Sequence, residues 1–527
     1  MANFLDRIIE SVSPERAYRR ENFRQALGLM HRGFGYDAGG HGRLNSNWRA
    51  YNESAELTDR VSRDVVRARA RDLERNSDME NSLLSAFRRN VVGRGFTLQP
   101  KTDDPALNKE IGTLWKRWCK AKNCDVTGQQ TFTQLLRMAV ERKKVDGGML
   151  FKKCYTTGGI LPFKLQALEV DELAQSVVVP HNKNDRVVGG IEYNQYNRPV
   201  GYWIEQYSID GYSITQPIYY PAKNIIFYFT KRRPSQLREF SDLSPVLTRI
   251  RDANEYITAV SVKERIAACL AVFIKKTVPT GGFGRNGAVQ AGAHQDYDGK
   301  KISPGMIQEM NAGDEIQVVD PKGESTDASE FLKLQQRMVG AGQGLSYEAT
   351  SRDMKQTTYS SARQGSIEDD LTYGEEIELL ESCVMDEVYE SFLISAVLAG
   401  VLDLPDFWEN RDAYMNHEWV AGAKRWVDPQ KEAGANATAL QSGQKTFKQI
   451  SAEQGRDWKE QIDDMAEVAA YAKEKGVKLG NGGTADGGQT ANPSQQPEPS
   501  SGGGGEEEGN DSEEPLPGDD GDVGDEE

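Results

Sequence analysis

Apolar and polar positions follow two different periods along the chain, and the change of period separates helical parts from a sheet-forming part. Over residues 56–92 apolar side chains recur every three or four positions, which predicts helix, and residues 106–146 predict two more helices. The segment 189–204 alternates on both sides of an Asn-rich turn, which predicts a hairpin. Between these helices and residue 230 the period of two predicts strands at 149–156, 163–170, 175–180, 187–193, 199–207 and 224–230.

Two longer apolar stripes follow the sheet-forming part. Residues 242–276 predict a helical rod of about 45 Å at 1.5 Å per residue, whereas helices in globular proteins average about 11 residues. Residues 362–399 predict a second rod that ends at Gly400 and carries ten acidic and no basic side chains between Glu368 and Glu390. A single chain buries such rods poorly, whereas copies arranged around a symmetric ring would cover one another's stripes. The expected class is α+β, dominated by helix.

The formal net charge of −16, from 64 Lys+Arg and 80 Asp+Glu, is concentrated at one end of the chain. Residues 481–527 hold 14 acidic and no basic side chains, so residues 1–480 keep 64 basic and 66 acidic ones, a net charge of −2. A protein that repels nucleic acid from every face is therefore excluded. The Gly-, Ser- and Pro-rich acidic tail has too few apolar groups to fold and is expected to be disordered.

The chemistry-bearing residues do not form the pattern of a metal or catalytic site. The five cysteines lack zinc or disulfide spacing, and no nucleophile or phosphate-loop motif is present, so we expect no metal, cofactor or catalytic residue. The longest apolar run, Ile266 to Ile274, is about half of the ~20 residues that cross a bilayer, so we expect no membrane contact. Charges at Asp6, Arg7 and Glu10 exclude a secretory signal at the N-terminus.

The first predicted helix leaves two interpretations open. Leu57, Val61 and Val65 belong to its apolar face, while the other face carries Arg60, Arg63, Arg67, Arg69, Arg71 and Arg75. Six arginines on one face are typical of a nucleic-acid-binding helix. The acidic residues interleaved with them, Asp64, Asp72 and Glu74, equally predict a solvated helix whose charges pair with one another.

Six segments, in this order, resemble the portal proteins of tailed bacteriophages, and the lambda-type family in particular. The chain departs from the family pattern at Glu239, since Arg-Gly usually precedes the long helix there. The matching segments are RARARDLERN (67–76), NVVGRGFTLQ (90–99), GGIEYNQYNRPVGYW (189–203), SDLSPVLTRIRDANEYITAVSVKERIAACLAVFI (241–274), SYEATSRDMKQTTYSSAR (346–363) and HEWVAGAKRWVDPQKE (417–432).

The resemblance implies the portal fold of wing, stem, clip and crown, assembled as a ring with a central channel. It implies the following regions along this chain: an N-terminal arm at 1–55, a wing at 56–240 with a β-rich module at 149–230, a first stem helix at 241–270, a clip at 271–326, a second stem helix at 327–346, a tunnel loop at 347–359, a long helix toward the crown at 360–400, wing and crown at 401–475, and the acidic tail at 476–527.

The resemblance also implies a function without enzymatic activity. Portal proteins form a ring, normally a dodecamer, at one capsid vertex, where double-stranded DNA is packaged and later ejected. Their partners are terminase, the major capsid and scaffolding proteins, and the head-completion and tail connector proteins. The location is the virion, and the host cytoplasm during assembly. The polar tunnel loop makes Arg352, Lys355 and Gln356 the candidate DNA-facing residues.

Two alternatives belong to other functional classes. The acidic residues at 368–390 could form the metal site of a nucleic-acid-processing enzyme, although ten acids on one helix identify no particular pair. The arginine-rich helix could belong to a monomeric DNA-binding adaptor. Nuclease activity with Mg²⁺ would favour the first alternative, and a monomeric mass would favour the second.

Overall fold

The computed structural model describes most of the chain and leaves several segments undescribed. The described residues are 50–208, 211, 214–268, 328–355, 357–422 and 428–477, with strands 272–274 and 307–309 and a few positions between 13 and 23. Most of the N-terminal arm, most of the predicted clip, Gln356 and the acidic tail therefore lie outside them. One compact unit extends to Ile462, and the described part of the second unit, 463–477, contains the end of the last helix.

Helices account for much of the described chain, and side-chain caps fix the starts of several. Ser54, Ser77 and Thr131 each accept a hydrogen bond from a backbone N–H in the first turn that follows. The α-helices are α1 (Ala55–Asn76), α2 (Asp78–Phe87), α3 (Pro105–Trp118), α4 (Ala121–Cys124), α5 (Phe132–Asp146), α6 (Leu247–Ala268), α7 (Ala328–Gly342), α8 (Tyr347–Ser351), α9 (Tyr359–Leu380), α10 (Asp386–Leu398), α11 (Arg411–Met415), α12 (Pro429–Gln441), α13 (Phe447–Glu453) and α14 (Trp458–Glu474).

The strands form small sheets. β2, β3 and β8 make an antiparallel sheet in the order β3-β2-β8, and β4 to β7 make a second antiparallel sheet in chain order. β1 pairs with β11 antiparallel, and β9 pairs with β10 parallel. The strands are β1 (Thr97–Pro100), β2 (Gly148–Tyr155), β3 (Phe163–Leu168), β4 (Arg186–Val188), β5 (Ile191–Tyr193), β6 (Pro199–Ile204), β7 (Ile218–Pro221), β8 (Ile225–Phe229), β9 (Val272–Ile274), β10 (Ile307–Glu309) and β11 (His417–Val420).

An aromatic cluster joins the helices to the three-stranded sheet. The indole N–H of Trp118 donates to the carbonyl of Phe163 at 2.9 Å, and their rings stack with centroids 5.4 Å apart. Trp115 packs edge-on against Phe132 and Phe392. Because the indole hydrogen bond is satisfied, Trp118 is buried completely at little polar cost. Residues from α3, α5, β3 and α10 thus share one core.

The two predicted rods differ in how closely the structure follows them. Helix α9, the π-helical turn Glu381–Met385 and α10 run from Tyr359 to Leu398, and Gly400 adopts φ 65° just beyond. The rod predicted at 242–276 is wrong in extent, because α6 spans 22 residues, about 33 Å, and Val272 begins a strand. The segment just before α6 is held in turns by buried side-chain bonds of Asp242 described below.

The strand predictions are also partly wrong. The hairpin of β5 and β6 is confirmed, with Ile191 opposite Tyr202. Residues 175–180 form no strand, and Val178 and Val179 are exposed there. β7 and the β1–β11 pair are absent from the prediction because each is only four residues long and pairs with a partner fixed by the tertiary fold. The sequence Glu315–Val319 also predicts a short strand, and it lies outside the described residues.

Helix α1 packs in the opposite orientation to the predicted one. Arg63 and Arg67 are both only 4% exposed, whereas Val61 on the supposed apolar face is 80% exposed. Arg63 bonds to the carboxylate of Glu56 at 2.8 Å, and Arg67 to that of Glu239 at 3.1 Å. A buried guanidinium is stable only where it is paired in this way. Both interpretations therefore need correction at Arg63 and Arg67, which are buried, although the predicted pairing of charges within the helix occurs between Arg67 and Asp64 and between Arg75 and Asp72.

Glu80 on α2 has a fully buried carboxyl group. Its side chain has no exposed surface, and neither carboxylate oxygen has a hydrogen-bond partner among the described residues. Burial, with the like charges of Glu74 and Asp72, raises the pKa of Glu80 to about 8 against the opposing effect of Arg142. Glu80 is thus protonated in the folded chain at neutral pH.

We expect Glu80→Gln to remove the contribution of Glu80 to the pH dependence of the free energy of unfolding. Because the folded pKa lies above the unfolded value of 4.5, the stability of the native sequence falls as pH rises from about 4.5 to 8. At about 1.4 kcal/mol per pKa unit, the variant should be a few kcal/mol more stable at pH 8. Denaturant titrations between pH 5 and about 8 measure this. Glu110→Gln, at an exposed position, is the control. The prediction would be contradicted if the free energy of unfolding of E80Q changed with pH as steeply as that of the native chain.

Candidate functional site: a loop mounted on a buried ion cluster

The predicted tunnel loop, 347–359, consists of α8 and the turn that joins it to α9. Arg352 ends α8 in the left-handed conformation, φ 59°, and its N–H donates to the carbonyl of Glu348 at 2.9 Å. Arg352 and Lys355 are both exposed on this turn, and neither side chain forms an ion pair within the described residues. Gln356, the third candidate, lies outside them. The structure therefore places two of the three predicted DNA-facing side chains on one solvent-exposed turn.

The acidic residues of the loop form their hydrogen bonds with other residues of the loop. Asp353 accepts from the backbone N–H of Lys355 at 3.2 Å and from the hydroxyl of Tyr347 at 3.4 Å. Glu348 accepts from the hydroxyl of Thr357 at 3.4 Å. Two acids therefore balance the two cations in number, but the half-buried acids hold the loop while the exposed cations face solvent. The loop offers positive charge at its surface with no net charge overall.

Three contacts anchor the loop to the helices around it. Asp369 on α9 accepts from both the N–H and the hydroxyl of Ser346, at 2.6 and 2.7 Å. The hydroxyl of Thr372 donates to the carbonyl of Gly344 at 2.6 Å, and that of Ser82 to the carbonyl of Thr350 at 2.5 Å. Two of these three ties come from α9. The position of the loop is therefore set mainly by that helix.

Helix α9, which positions the loop, is itself held in place by a buried cluster of charged side chains. The ammonium of Lys143 lies 2.9 Å from carboxylate oxygens of Asp242 and Glu376, and that of Lys144 lies 3.4 and 2.8 Å from the same two groups. Arg232 bonds to the other oxygen of Asp242 at 2.8 Å, and the hydroxyl of Tyr228 donates to Glu376 at 2.5 Å. We call this set the ion cluster: Lys143, Lys144, Tyr228, Arg232, Asp242 and Glu376.

Two members of the ion cluster, Glu376 and Lys144, keep their charges over the physiological range. Burial by itself would raise the pKa of Glu376, but Lys144 and Lys143, with the hydrogen bonds of Lys144 and Tyr228, outweigh it and lower that pKa to about 2. Burial would lower the pKa of Lys144, but Asp242 and Glu376 reverse the effect and raise it. Each charge is thus stabilised by its partners rather than neutralised. The cluster connects α5, β8, the segment just before α6, and α9.

Residues 41–376 match the family model of the phage portal protein, lambda family. This match covers more than half of the chain. The chain belongs to that family. The resemblance given by the six segments is therefore confirmed.

The curated relatives of this portal protein are phage proteins that match along most of their length. The probable portal protein of Halomonas phage phiHAP-1 is 25% identical over 82% of this chain and 86% of its own. The portal protein of Escherichia phage N15 is 22% identical, with 87% and 96% covered. Portal protein B of Escherichia phage lambda is 22% identical, with 84% and 91% covered.

Among solved structures, the chain is similar to one from the neck of an empty gene transfer agent particle computed with C6 symmetry. The identity is 13%, and the match covers 73% of this chain and 93% of the other with a TM-score of 0.35. Another match, to a chain in the virion of a native gene transfer agent particle, has a TM-score of 0.25. Both scores are too low to support an argument about the fold, so family membership rests on the sequences.

The enzyme alternative, with a metal site among the acids of 368–390, has no support from the comparisons or from the contacts of these acids. Glu376 is bound to two lysines, Asp369 to Ser346, and Lys153 forms an ion pair with Glu387. Within the described residues no three His, Cys, Asp or Glu side chains come together as metal ligands. Two of the ten acids, Glu376 and Asp369, are buried, each only 6% exposed. None of the helices in the described ranges has the length and apolar composition needed to cross a bilayer.

The sequence interpretation did not include the ion cluster. Its members are spread from Lys143 to Glu376, so no local pattern connects them. One signal was available, because Lys143 and Lys144 follow directly on the apolar face of α5 and precede the buried Val145. Adjacent lysines in a helical turn whose other members are core residues indicate buried partners elsewhere in the chain.

We expect Glu376→Gln to destabilise the portal protein by roughly 3 kcal/mol at neutral pH, because it leaves two buried ammonium groups short of an anion. Since the folded pKa lies below the unfolded value, the loss should be full above about pH 4.5 and shrink as pH falls toward 2. Thermal and denaturant unfolding measure it. Glu409→Gln is the control, because Glu409 is exposed and lies outside the cluster. Equal stability of the two variants would contradict the role of the cluster.

Proposed function

We propose that this chain assembles as a closed ring, a dodecamer, at one vertex of a phage capsid, and that double-stranded DNA passes through the ring during packaging and ejection. The support is membership of the lambda portal family, together with the exposed Arg352 and Lys355 on the turn that leads into α9. The ring would also be the docking platform for terminase and, after packaging, for the head-completion and tail connector proteins. Its place is the virion, and before that the host cytoplasm, where it would meet the major capsid and scaffolding proteins.

The proposed regions of the ring follow the order of the chain. The arm at 1–55 and the wing at 56–240 come first, and α6 supplies the stem helix in 241–270. The clip at 271–326, which would contact terminase, lies mostly outside the described residues. The second stem helix at 327–346 corresponds to α7, the tunnel loop is 347–359, the long helix toward the crown is 360–400, wing and crown continue through 401–475, and the tail is 476–527.

The observation that carries the proposal is the construction of the loop. Arg352 and Lys355 extend into solvent from a turn whose acids are occupied, and the turn is bonded to the same helix that the ion cluster fixes. A channel must guide DNA without gripping it, because each neutralised phosphate adds to affinity and slows release. Two cations per copy with no net loop charge meet that requirement better than a continuous basic groove.

The ring itself is tested by particle mass. A twelve-subunit assembly has about twelve times the 58.6 kDa of one chain, and ring-shaped views should appear in negative stain. Mass photometry of the full-length chain measures this directly. A monomer at every concentration would instead favour the DNA-binding adaptor. Robust Mg²⁺-dependent cleavage of DNA by the purified ring would contradict a purely structural role.

The loop is tested by removing its two exposed charges. We expect Arg352→Asn with Lys355→Gln to leave the ring mass unchanged and to reduce packaging or retention of DNA, because the charges that face the DNA phosphates are gone. Asn is chosen because it tolerates the left-handed backbone at position 352. The yield of DNA-filled heads measures the effect. Lys183→Ala with Lys223→Ala removes two exposed cations elsewhere and should package normally; normal packaging by the loop variant would contradict its role.

A further inference from the structure

Helix α1 presents a row of large aliphatic side chains to solvent. Leu57, Val61 and Val65 are 53%, 80% and 51% exposed. Residues four positions apart lie on one side of a helix, so the three form a continuous row, which we call the outer stripe. The opposite side of α1 is bonded to Glu239 and Asp171 through Arg67, so the helix cannot rotate to bury the row. The outer stripe is therefore apolar surface that the fold of one chain leaves uncovered.

The charges beside the outer stripe are Arg60, Asp64 and Arg69, and Asp64 is paired with the buried Arg67, so the unpaired charges there are basic. Arg60 and Arg69 are exposed on α1, and neither forms an ion pair within the described part of the chain. A surface that covers the stripe would place its own rim against these two guanidinium groups. Apolar patches rimmed by charge are typical of protein–protein contacts, and opposite charges across such a contact fix its register. The complementary surface should thus have aliphatic residues at the centre and acids around them.

Helix α9 carries a surface with these properties. Ile367 and Leu371, four positions apart, are 47% and 64% exposed. The exposed acids Glu368, Glu375 and Glu378 lie beside them, with the exposed Arg363 one turn before Ile367, so the surface carries three acids against one cation. The loop anchor Asp369 is on the other side of the helix, so this face is not used by the loop. We call Ile367, Leu371 and these three glutamates the acidic stripe.

Other exposed apolar pairs fit the outer stripe less well. Leu334 and Met338 on α7 are similarly exposed, but Lys333 and Arg337 lie beside them. These cations would face Arg60 and Arg69 and repel them. Ile462, Met465 and Val468 on α14 also have acids beside them, but they lie outside the residues 41–376 that the family model matches. Among the described helices within those residues, the acidic stripe is the exposed aliphatic pair whose charged neighbours are mainly acidic.

We propose that the outer stripe of one copy packs against the acidic stripe of the next copy. Both stripes stay exposed in a single chain, so they can cover each other only between two chains. They are different surfaces, so the contact is head-to-tail, the type that closes into a ring when repeated. The inference rests on the proposed ring and adds which faces of neighbouring copies meet, with Arg60 and Arg69 opposite the glutamates.

The contact is tested by cross-linking the full-length chain. Val61→Cys and Leu371→Cys are made separately and together, and each preparation is treated with a short bis-maleimide, with the unmodified chain as background for its native cysteines. The double variant should give a ladder of covalent multimers, and a mixture of the two single variants should give covalent dimers. Each single variant alone should give no more than the background. These results distinguish a head-to-tail contact from a symmetric one.

Two outcomes overturn the inference, and particle mass separates them from failure of the proposed function. Dimers formed by V61C alone would show that the outer stripe meets its own copy. An absence of mixed dimers from particles with the mass of a ring would show that the ring uses other faces, and the proposed function would survive. An absence of mixed dimers together with a monomeric mass would remove both proposals.

A charge exchange gives an independent test. Arg60→Glu with Arg69→Glu should weaken ring assembly, because like charges then meet across the contact, and adding Glu375→Lys with Glu378→Lys in the same chain should restore it. Mass photometry at low salt follows assembly, and unfolding temperature shows that every variant is folded. A folded double variant that assembles like the native chain would overturn the inference, as would a folded quadruple variant that does not assemble.

Discussion

Two buried lysines side by side on one helix are the constraint on which the arrangement of the helices depends. Lys143 and Lys144 are 2% and 7% exposed, and an ammonium group loses several kcal/mol of hydration on such burial unless anions replace the water. Asp242 and Glu376 come from segments about 100 and 230 residues further along the chain. The segment just before α6 and the middle of α9 must therefore meet α5 at this point. Any displacement of one of them would leave a buried charge unpaired.

A second buried ion network fixes the orientation of α1. The guanidinium of Arg238 has no exposed surface and bonds to the carboxylate of Glu239 and to the carbonyl of Gly189. Glu239 also bonds to Arg67, so the residue at which this chain departs from the family pattern joins α1 to the β-rich module. This bond explains why a helix with arginines on one side and valines on the other packs arginines inward. The outer stripe is exposed as a consequence of that pairing.

The sequence predicted those elements whose signal is local. The hairpin of β5 and β6 and the helix through α9 and α10 follow from periods that stand in the sequence itself. The side on which α1 packs did not follow, because its decisive partner, Glu239, lies 172 residues from Arg67. The loop containing Arg352 was recognised from its polarity, but its anchor on Asp369 depends on a fold that brings Ser346 onto α9. A prediction from local periodicity places apolar residues in the core and charged residues at the surface. Buried ion pairs reverse that assignment, because each charge is stabilised by a partner from a distant part of the chain.

Helix α9 brings the loop and the proposed neighbour contact within one helical turn. Asp369, which holds the start of the loop, lies between Ile367 and Leu371 in sequence but about 200° around the helix from Ile367. A rigid helix cannot move one of its sides without moving the other. If DNA displaced the turn at Arg352, the force would pass through Ser346 to α9 and then to the outer stripe of the adjacent copy. The ion cluster at Glu376 opposes that motion, since rotation of α9 would separate buried charges.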